Sequence, residues 1–300
     1  ASSDNEIWAK RLLMQGTALT NFLSGQTFNW YDHTFQTGKN QDYNVSVSGA
    51  NENMNYYMSL GYLSNEGIAK GNEYSAIRAN IKVEGKITKW LEIGANINFQ
   101  NRTDGDLTVD WSRQILNNAP FANYKDANGN LEVHPMGDNM VNNFGWNHDF
   151  NRNYLDLDKG FTVLNSILTA KVKLPFNITY SFNGSPRFQY FHDRYWESAS
   201  HPDWRGTNGL VNREQAKRYD WSLNNTLNWE NVFAKKHRVN ITLVQEAEKR
   251  QYWQDRIEAR NILPSDALGF HETIFGDKNL SRFNSDDVKE TADGMLARLF

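Results

Sequence analysis

The sequence predicts an all-β chain: an antiparallel, up-and-down transmembrane β-barrel, present as a partial barrel of about eight to nine strands with long extracellular loops. Three observations carry that expectation. Segment after segment alternates apolar and polar residues with a period of two. The connections between segments take turns at being short and long. The average composition is polar, yet aromatics are abundant.

Residues 1–28 are the least regular. Ile7, Trp8, Arg11, Leu12 and Gln15 have helical spacing, and Asp4 reads as the cap of a short surface helix. Residues 1–41 are thus a lead-in, and 42–300 form the barrel section. The first strand pair is Asp42 to Gly49 and Met54 to Tyr62. Tyr43, Val45 and Val47, then Met54, Tyr56, Met58, Leu60 and Tyr62, fall on one parity, so each strand has one apolar face. Ile77, Ala79, Ile81 and Val83, followed by Leu91, Ile93, Ala95, Ile97 and Phe99, repeat the plan. A long irregular excursion follows, with Pro120, Pro135 and an Asn128-Gly129 turn signal. Alternation resumes at Gly160, with Leu164, Leu168, Ala170, Val172 and Leu174. It turns at Pro175-Phe176-Asn177 and returns through Ile178, Tyr180 and Phe182 to about Tyr195. A second long loop is expected from roughly Trp196 to Glu214. Tyr219, Trp221, Leu223, Leu227 and Trp229 then share a face. The short Phe233 to His237 turn leads to Val239, Ile241, Leu243 and Ala247. A third excursion, about Asp255 to Thr291, precedes a further strand beginning at Met295.

In an up-and-down sheet, connections that alternate short and long put every short turn at one edge and every long loop at the other. Outer-membrane barrels have that asymmetry, with short periplasmic turns and long extracellular loops. Tyr219 to Trp229 spans about 33 Å at ~3.3 Å per residue, or about 25 Å along the membrane normal at a tilt of ~40°. Tyr219, Trp221 and Trp229 therefore read as a lipid-facing girdle. Asn225 and Gln245 run against this reading, because they fall on the same face as the girdle.

The totals agree. The chain has 300 residues, no cysteine and a net charge of -3, so neither disulfides, nor thiolate metal sites, nor a basic nucleic-acid surface is expected. Mean hydropathy is -0.72, and no apolar run reaches the ~18 residues of a membrane helix. Aromatics nonetheless make up 13% of the chain, with ten Trp. The opening ASSDNEIW carries no signal-peptide pattern, and Arg298-Leu299-Phe300 stands in mid-strand; both read as a piece of a longer protein.

Sites of chemistry are sparse. His271-Glu272 lacks a second His at metalloprotease spacing. Asp126 to Glu132 has its glycine at the wrong place for a calcium loop, so an Asn-Gly turn is expected there. Asp156 and Asp158 are expected in a solvated acidic turn. No cofactor or metal is expected. Asp220, Asn224, Asn228, Glu230 and Glu246 share the polar face of neighbouring strands and read as lumen lining, with Glu248 beside them. Paired acids also serve glycoside hydrolysis when suitably spaced, which leaves a hydrolase as a third reading behind a non-enzymatic barrel. Trp111, Trp146, Trp196 and Trp204 fall in the long loops, where an indole can stack on a sugar ring or anchor a partner. The alternative is that they pack the loops onto one another.

The stretch from Asn29 to about residue 105 also resembles the start of the barrel in SusC/RagA-type TonB-dependent transporters of the Bacteroidetes outer membrane. The resemblance lies in Trp30, Asp32, Phe35, Thr37-Gly38, Asn44-Val45-Ser46-Val47-Ser48-Gly49, Asn55-Tyr56-Tyr57, Gly61-Tyr62 and Glu66-Gly67. Trp90-Leu91-Glu92-Ile93-Gly94 and Asp126 to Asn130 are similar too, whereas Tyr31 and Ala50 depart from the pattern. The resemblance implies active import of a bulky nutrient across the outer membrane, an oligosaccharide first and a peptide second. It also implies a SusD-like surface lipoprotein as lid, and TonB-ExbB-ExbD acting through a plug outside this chain. Outer-membrane lipids would surround the wall, and no nucleic acid is involved. The alternative is a soluble secreted β-rich protein that binds glycans through its loop tryptophans.

Overall fold

The alternating segments become nine strands in the computed structural model, which describes residues 3–105, 107–137, 145–203 and 208–300. They are β1 Lys39–Ala50, β2 Met54–Glu66, β3 Glu73–Lys86, β4 Leu91–Thr103, β5 Leu155–Leu174, β6 Ile178–Glu197, β7 Leu210–Phe233, β8 His237–Arg260 and β9 Arg282–Leu299. Each pairs antiparallel with the next in chain order, and the sheet is open, with β1 and β9 at its edges. Short helices, α1 Asp4–Arg11, α2 Gly16–Ser24, α3 Trp30–Thr34, α4 Trp111–Leu116, α5 His148–Arg152 and α6 Ser265–Leu268, lie in the connections.

Register sorts the two faces. Val45, Leu60, Ala79, Phe99, Leu164, Phe188 and Tyr219 form one line across seven strands, each opposite the next. The adjoining line is Ser46, Ser59, Asn80, Asn98, Asn165, Arg187, Asp220, Arg250 and Glu290. A slip of one residue would exchange these lines, so a two-sided environment fixes the pairing. The polar face is concave: one open cavity of about 660 Å³ is lined by Asn55, Glu84, Glu92, Lys171, Asn183 and Asn224, from six successive strands. The convex face is apolar and uncovered, with Val45 77%, Leu60 60% and Met295 82% exposed. Burying one such side chain is worth about 1.5–3 kcal/mol. A wall of them is stable only against an apolar medium. No described helix is long and apolar enough to cross a membrane.

The connections alternate as expected. Residues 51–53, 87–90, 175–177 and 234–236 turn at one end, and 67–72, 104–154, 198–209 and 261–281 cross the other. Phe176 and Asn177, and again Ala234 and Lys235, have positive φ (65°, 62°, 51° and 59°), the two-residue geometry that follows the twist of a hairpin. Pro186 sits inside β6. The ladder to β5 omits Ser185 and Pro186, whereas β7 pairs both, so the missing proline N–H falls on the β5 side.

The strands outrun the sequence expectation at the long-loop end. β7 begins at Leu210 rather than after Glu214, β8 runs to Arg260, β5 starts at Leu155, and β9 starts at Arg282 rather than Met295. In these extensions both faces are polar: Arg213 and Gln215 lie on one face of β7, Glu214 and Arg218 on the other. With no apolar face there is no alternation to read. Asp156 and Asp158 accordingly lie in β5 rather than in an acidic turn, and Asp158 accepts from Arg194 Nη1 at 3.1 Å. At α1 the cap is Ser3, not Asp4. Ser3 Oγ accepts from the Glu6 N–H while Glu6 answers the Ser3 N–H, a reciprocal capping box.

Candidate functional site

β1 enters the sheet from the long-loop end, so the N-terminal segment belongs to that end too. It is tied there by the Phe35–Ala69 bridge and by Gln36 N–H donating to Ile68 O at 2.8 Å. The long excursion 104–154 folds onto this segment through buried amides as well as ring contacts such as Phe22 with Phe121. Gln114 donates to Thr34 Oγ1 (3.0 Å) and accepts from His148 N (3.0 Å). Asn21 Nδ2 donates to Phe121 O, and Asn147 Nδ2 to Glu132 O. Asn118 closes a ring with Trp146, donating to its carbonyl at 2.6 Å and accepting from its N–H at 3.1 Å. Asn21, Thr34, Gln114, Asn118, Asn147 and His148 are all buried, and each amide or hydroxyl replaces the water its neighbours would otherwise need.

Beside them stands an aromatic stack. Phe28 lies flat on Tyr124 (4.8 Å between centroids, 12°), with Trp30 edge-on to Phe28 and His33 against Tyr124. Asp149 takes hydrogen bonds from His33 Nε2 and from Tyr124 OH, both at 2.7 Å. The His33 bond is the larger influence in holding the Asp149 carboxyl down at about 2, against the opposing effect of burial. Burial raises the Tyr124 phenol, with Asp149 adding to the rise.

These contacts frame a cavity of about 450 Å³, lined by Arg113, Asn117, His134, Trp146, Asn151, His201 and Asp203 among others. The Arg113 guanidinium lies 5.1 Å from the Trp146 ring centroid. The Trp146 indole N–H is buried without a hydrogen-bond partner. His134 Nε2 meets Asp203 Oδ2 at 2.7 Å. His201 accepts from the Asp203 N–H at Nδ1, so its other nitrogen donates to Asn151 Oδ1 at 2.7 Å. Burial lowers the His201 pKa, which fits that neutral tautomer. The result is an aromatic face, a cation, an imidazole–carboxylate pair and fixed amides around one hollow. Such a set offers a ligand stacking, charge and hydrogen-bonding groups around one hollow. Among the described residues no cluster of His, Cys, Asp or Glu is arranged to hold a metal ion.

The sequence-derived residues distribute as follows. Trp146 lines this cavity. Trp111 opens α4 and is 52% exposed, 6.3 Å from Phe35. Trp196 is not a loop residue: it ends β6 and packs on the small core of Val211, Ala259, Ile262 and Phe270, because the strand runs farther than alternation indicated. Trp204 lies outside the described residues. Asp220, Asn224, Asn228, Glu230 and Glu246 sit on the polar face. Asn224 donates to Glu246 (2.7 Å), Glu230 pairs with Arg238 (2.5 Å), and Asp220 takes Arg218 Nε (2.7 Å). Glu230 and Glu246 stand six register positions apart, roughly 20 Å at ~3.3 Å per residue. That exceeds the ~5–9.5 Å of a glycosidase pair. Tyr219, Trp221 and Trp229 occupy the convex face, Tyr219 stacked on Phe188 at 4.5 Å. The Asp126 to Glu132 segment is the expected turn, with Gly129 at φ 87° and Asp126 accepting from the Asn128 and Asn130 N–H groups. The amides and the His33–Asp149–Tyr124 trio have no periodic signature, and only their long-range partners give them meaning.

No family model matches the chain. Among curated proteins it is similar to the TonB-dependent receptor SusC of Bacteroides thetaiotaomicron, 27% identical over 126 residues, 38% of this chain and 12% of that protein. It is also similar to the TonB-dependent receptor P26 of Formosa agariphila, 25% identical over 274 residues, 87% of this chain and 25% of that protein. Among solved structures, the RagAB peptide transporter superposes with a TM-score of 0.72 at 18% identity, covering 91% of this chain and 31% of its own. The chain thus spans a quarter or less of the curated relatives it matches.

Proposed function

We propose that this chain, a section of a SusC/RagA-type β-barrel, forms part of the wall and extracellular vestibule of an outer-membrane importer for a bulky nutrient. The observation that carries the reading is the two-sided sheet. Nine consecutive antiparallel strands turn an uncovered apolar face outward and a polar face inward, and all the long connections gather at one end. The similarity to TonB-dependent receptors along most of the chain supports it. A soluble glycan-binding protein would have no use for the exposed rows through Val45, Leu60 and Met295.

On this reading residues 1–41 form an extracellular lead-in and 42–300 a run of barrel wall. A SusD-like lipoprotein closes over the loop end, and TonB with ExbB and ExbD acts on a plug outside this chain. The lumen row from Ser46 to Glu290 gives the nutrient a wet path, and the Trp146 cavity gives it a first contact. The work is differential exposure of a binding site, with no bond made or broken in the cargo. An oligosaccharide suits the indole face and the fixed amides. A peptide is the runner-up, favoured by the structural similarity to the RagAB peptide transporter.

The test is fractionation and uptake with the full-length protein in its host. It should sediment with the outer membrane, require detergent for extraction, and support TonB-dependent uptake of labelled oligosaccharide. A monodisperse protein in detergent-free buffer would overturn the barrel reading. Uptake of peptides and not of oligosaccharides would overturn only the cargo.

A further inference from the structure

On the convex face, near the long-loop end, β5 to β8 enclose an apolar groove of about 380 Å³. Its floor is Leu164 beside the stacked rings of Phe188 and Tyr219, which stand opposite one another in register. One row farther toward the loops lie Tyr190, Lys217 and Trp253, again directly opposite one another on the same face. Above them that face is polar, with Gln215 opposite Asp255. The groove therefore straddles the level at which the outward surface changes from apolar to charged.

Lys217, the Tyr190 hydroxyl and the Trp253 indole N–H are three donors in a single row. None has a hydrogen bond or ion pair among the described residues. The nearest acid by register, Asp255, sits diagonally from Lys217 and accepts from Ser285 Oγ at 3.0 Å. Outward positions within the apolar rows of β1 to β6 carry no charged residue, whereas β8 and β9 put Lys249, Lys289 and Asp293 on that face, none of them beside the groove's paired rings. An ammonium between two aromatic rings, directly above an apolar groove, has the chemistry of a lipid headgroup seat, hydrocarbon below and an anion at the rim; Lys249, on the same face between Trp221 and Thr291, lacks that arrangement.

We propose that this groove binds a phosphate-bearing lipid of the surrounding leaflet. An acyl chain lies along Leu164, Phe188 and Tyr219, and the phosphate is held by Lys217, Tyr190 and Trp253. The inference goes beyond transport and rests only on the convex face meeting lipid. Its occupant is a lipid rather than a protein because the lining is almost wholly apolar up to one row of donors, and because the charge within the lining of that row is the Lys217 ammonium, Asp287 of the same row lying one strand beyond Trp253 and outside the groove.

The experiment is native mass spectrometry of the full-length protein released from detergent, with two added probes of equal acyl chains: dipalmitoyl phosphatidic acid and dipalmitoylglycerol. Phosphatidic acid should be retained and the neutral lipid largely lost. Lys217→Gln should cut retention of phosphatidic acid roughly tenfold, as expected for one charge-assisted contact. Lys171→Gln, on the concave face, should leave it unchanged. Phe188→Ala should reduce retention of both probes. A heat-modifiable gel shift verifies that each variant is folded. Equal retention of the two probes, or no effect of Lys217→Gln in a folded variant, overturns the headgroup site while leaving the barrel intact. Failure of the unaltered protein to enter detergent micelles would instead remove the membrane reading itself.

Discussion

Asn225 Nδ2 donates to Gln245 Oε1 at 2.7 Å, directly across the β7–β8 ladder and on the outward face. Neither residue is moved aside by a bulge, because the register runs through both without interruption. They are tolerated there because they form part of a chain. Tyr180 OH donates to Asn225 Oδ1 (2.6 Å), and Gln245 Nε2 donates to Asp293 Oδ1 (2.9 Å). An amide with unmet donors is expensive in hydrocarbon, so each link spares its neighbours that cost. Asn225→Leu alone should destabilise the folded barrel by about 1–3 kcal/mol, since it strands the Tyr180 hydroxyl and one end of Gln245. Asn225→Leu with Gln245→Leu should cost less than the sum of the single changes, by about 0.5–1.7 kcal/mol. Urea unfolding in detergent reads both. Strict additivity would mean that the amides act independently.

The β7–β8 turn places Ala234 and Lys235 at φ 51° and 59°, conformations that L-residues with a Cβ adopt reluctantly. Replacing the pair with Asn-Gly should raise stability by about 0.4–1 kcal/mol, because Gly and Asn enter this region at low cost. A higher midpoint in urea is the expected outcome. An unchanged or lower midpoint would show that the hairpin does not depend on the turn's backbone preference.

How far the sequence discloses the structure depends on what each segment touches. Val45, Leu60 and Phe99 alternate with Asn44, Ser59 and Asn98 because one face of the sheet is apolar and the other polar, so those strands announce themselves. Arg213, Glu214, Gln215 and Arg218 belong to the same sheet, yet both of its faces are polar there, and alternation vanishes while the ladder continues. Alternation therefore ends short of Trp196, which the ladder nonetheless includes. The vestibule is harder still. Gln114 matters because Thr34 is eighty positions away in sequence and 3.0 Å away in space. Nothing local to Gln114 encodes that contact.

The trio around Asp149 gives the loop end a pH dependence. Its carboxyl is held at about 2 rather than 3.8, first by the His33 hydrogen bond and then by Tyr124 OH, so folding favours the ionised form. A depressed carboxylate pKa contributes stability that is complete above about pH 4 and is lost as pH falls through about 2. The amount is on the order of 1–2 kcal/mol after allowance for partial exposure. Trp30 fluorescence should report loosening of the α3 region across that window, with the strands still intact. Asp149→Asn should be weakened already at neutral pH and should lack the acid step. An identical acid profile in the variant would assign the transition to other groups.

The cavity beside Trp146 separates the loop tryptophans by role. The Trp146 ring lines the hollow with the Arg113 guanidinium over one face, so a ligand entering meets an aromatic edge and a cation, while the indole N–H itself is buried. Trp111, half exposed on α4, stands beside Phe35, and Trp196 packs on the Val211 and Ile262 core. Trp146→Phe keeps an aromatic side chain but loses the larger indole face that Arg113 covers. On the proposed function it should weaken cargo binding by about 1–1.5 kcal/mol, roughly tenfold, with little change in unfolding midpoint. Trp111→Phe should leave both nearly unchanged, and Trp196→Ala should lower stability by about 3 kcal/mol or more. Titration of the detergent-solubilised protein with candidate oligosaccharides and peptides, alongside urea unfolding, resolves the three. Equal affinity in the wild type and in Trp146→Phe, for every cargo that binds, would remove this cavity from the import route and leave the concave polar row as the place where cargo is first held.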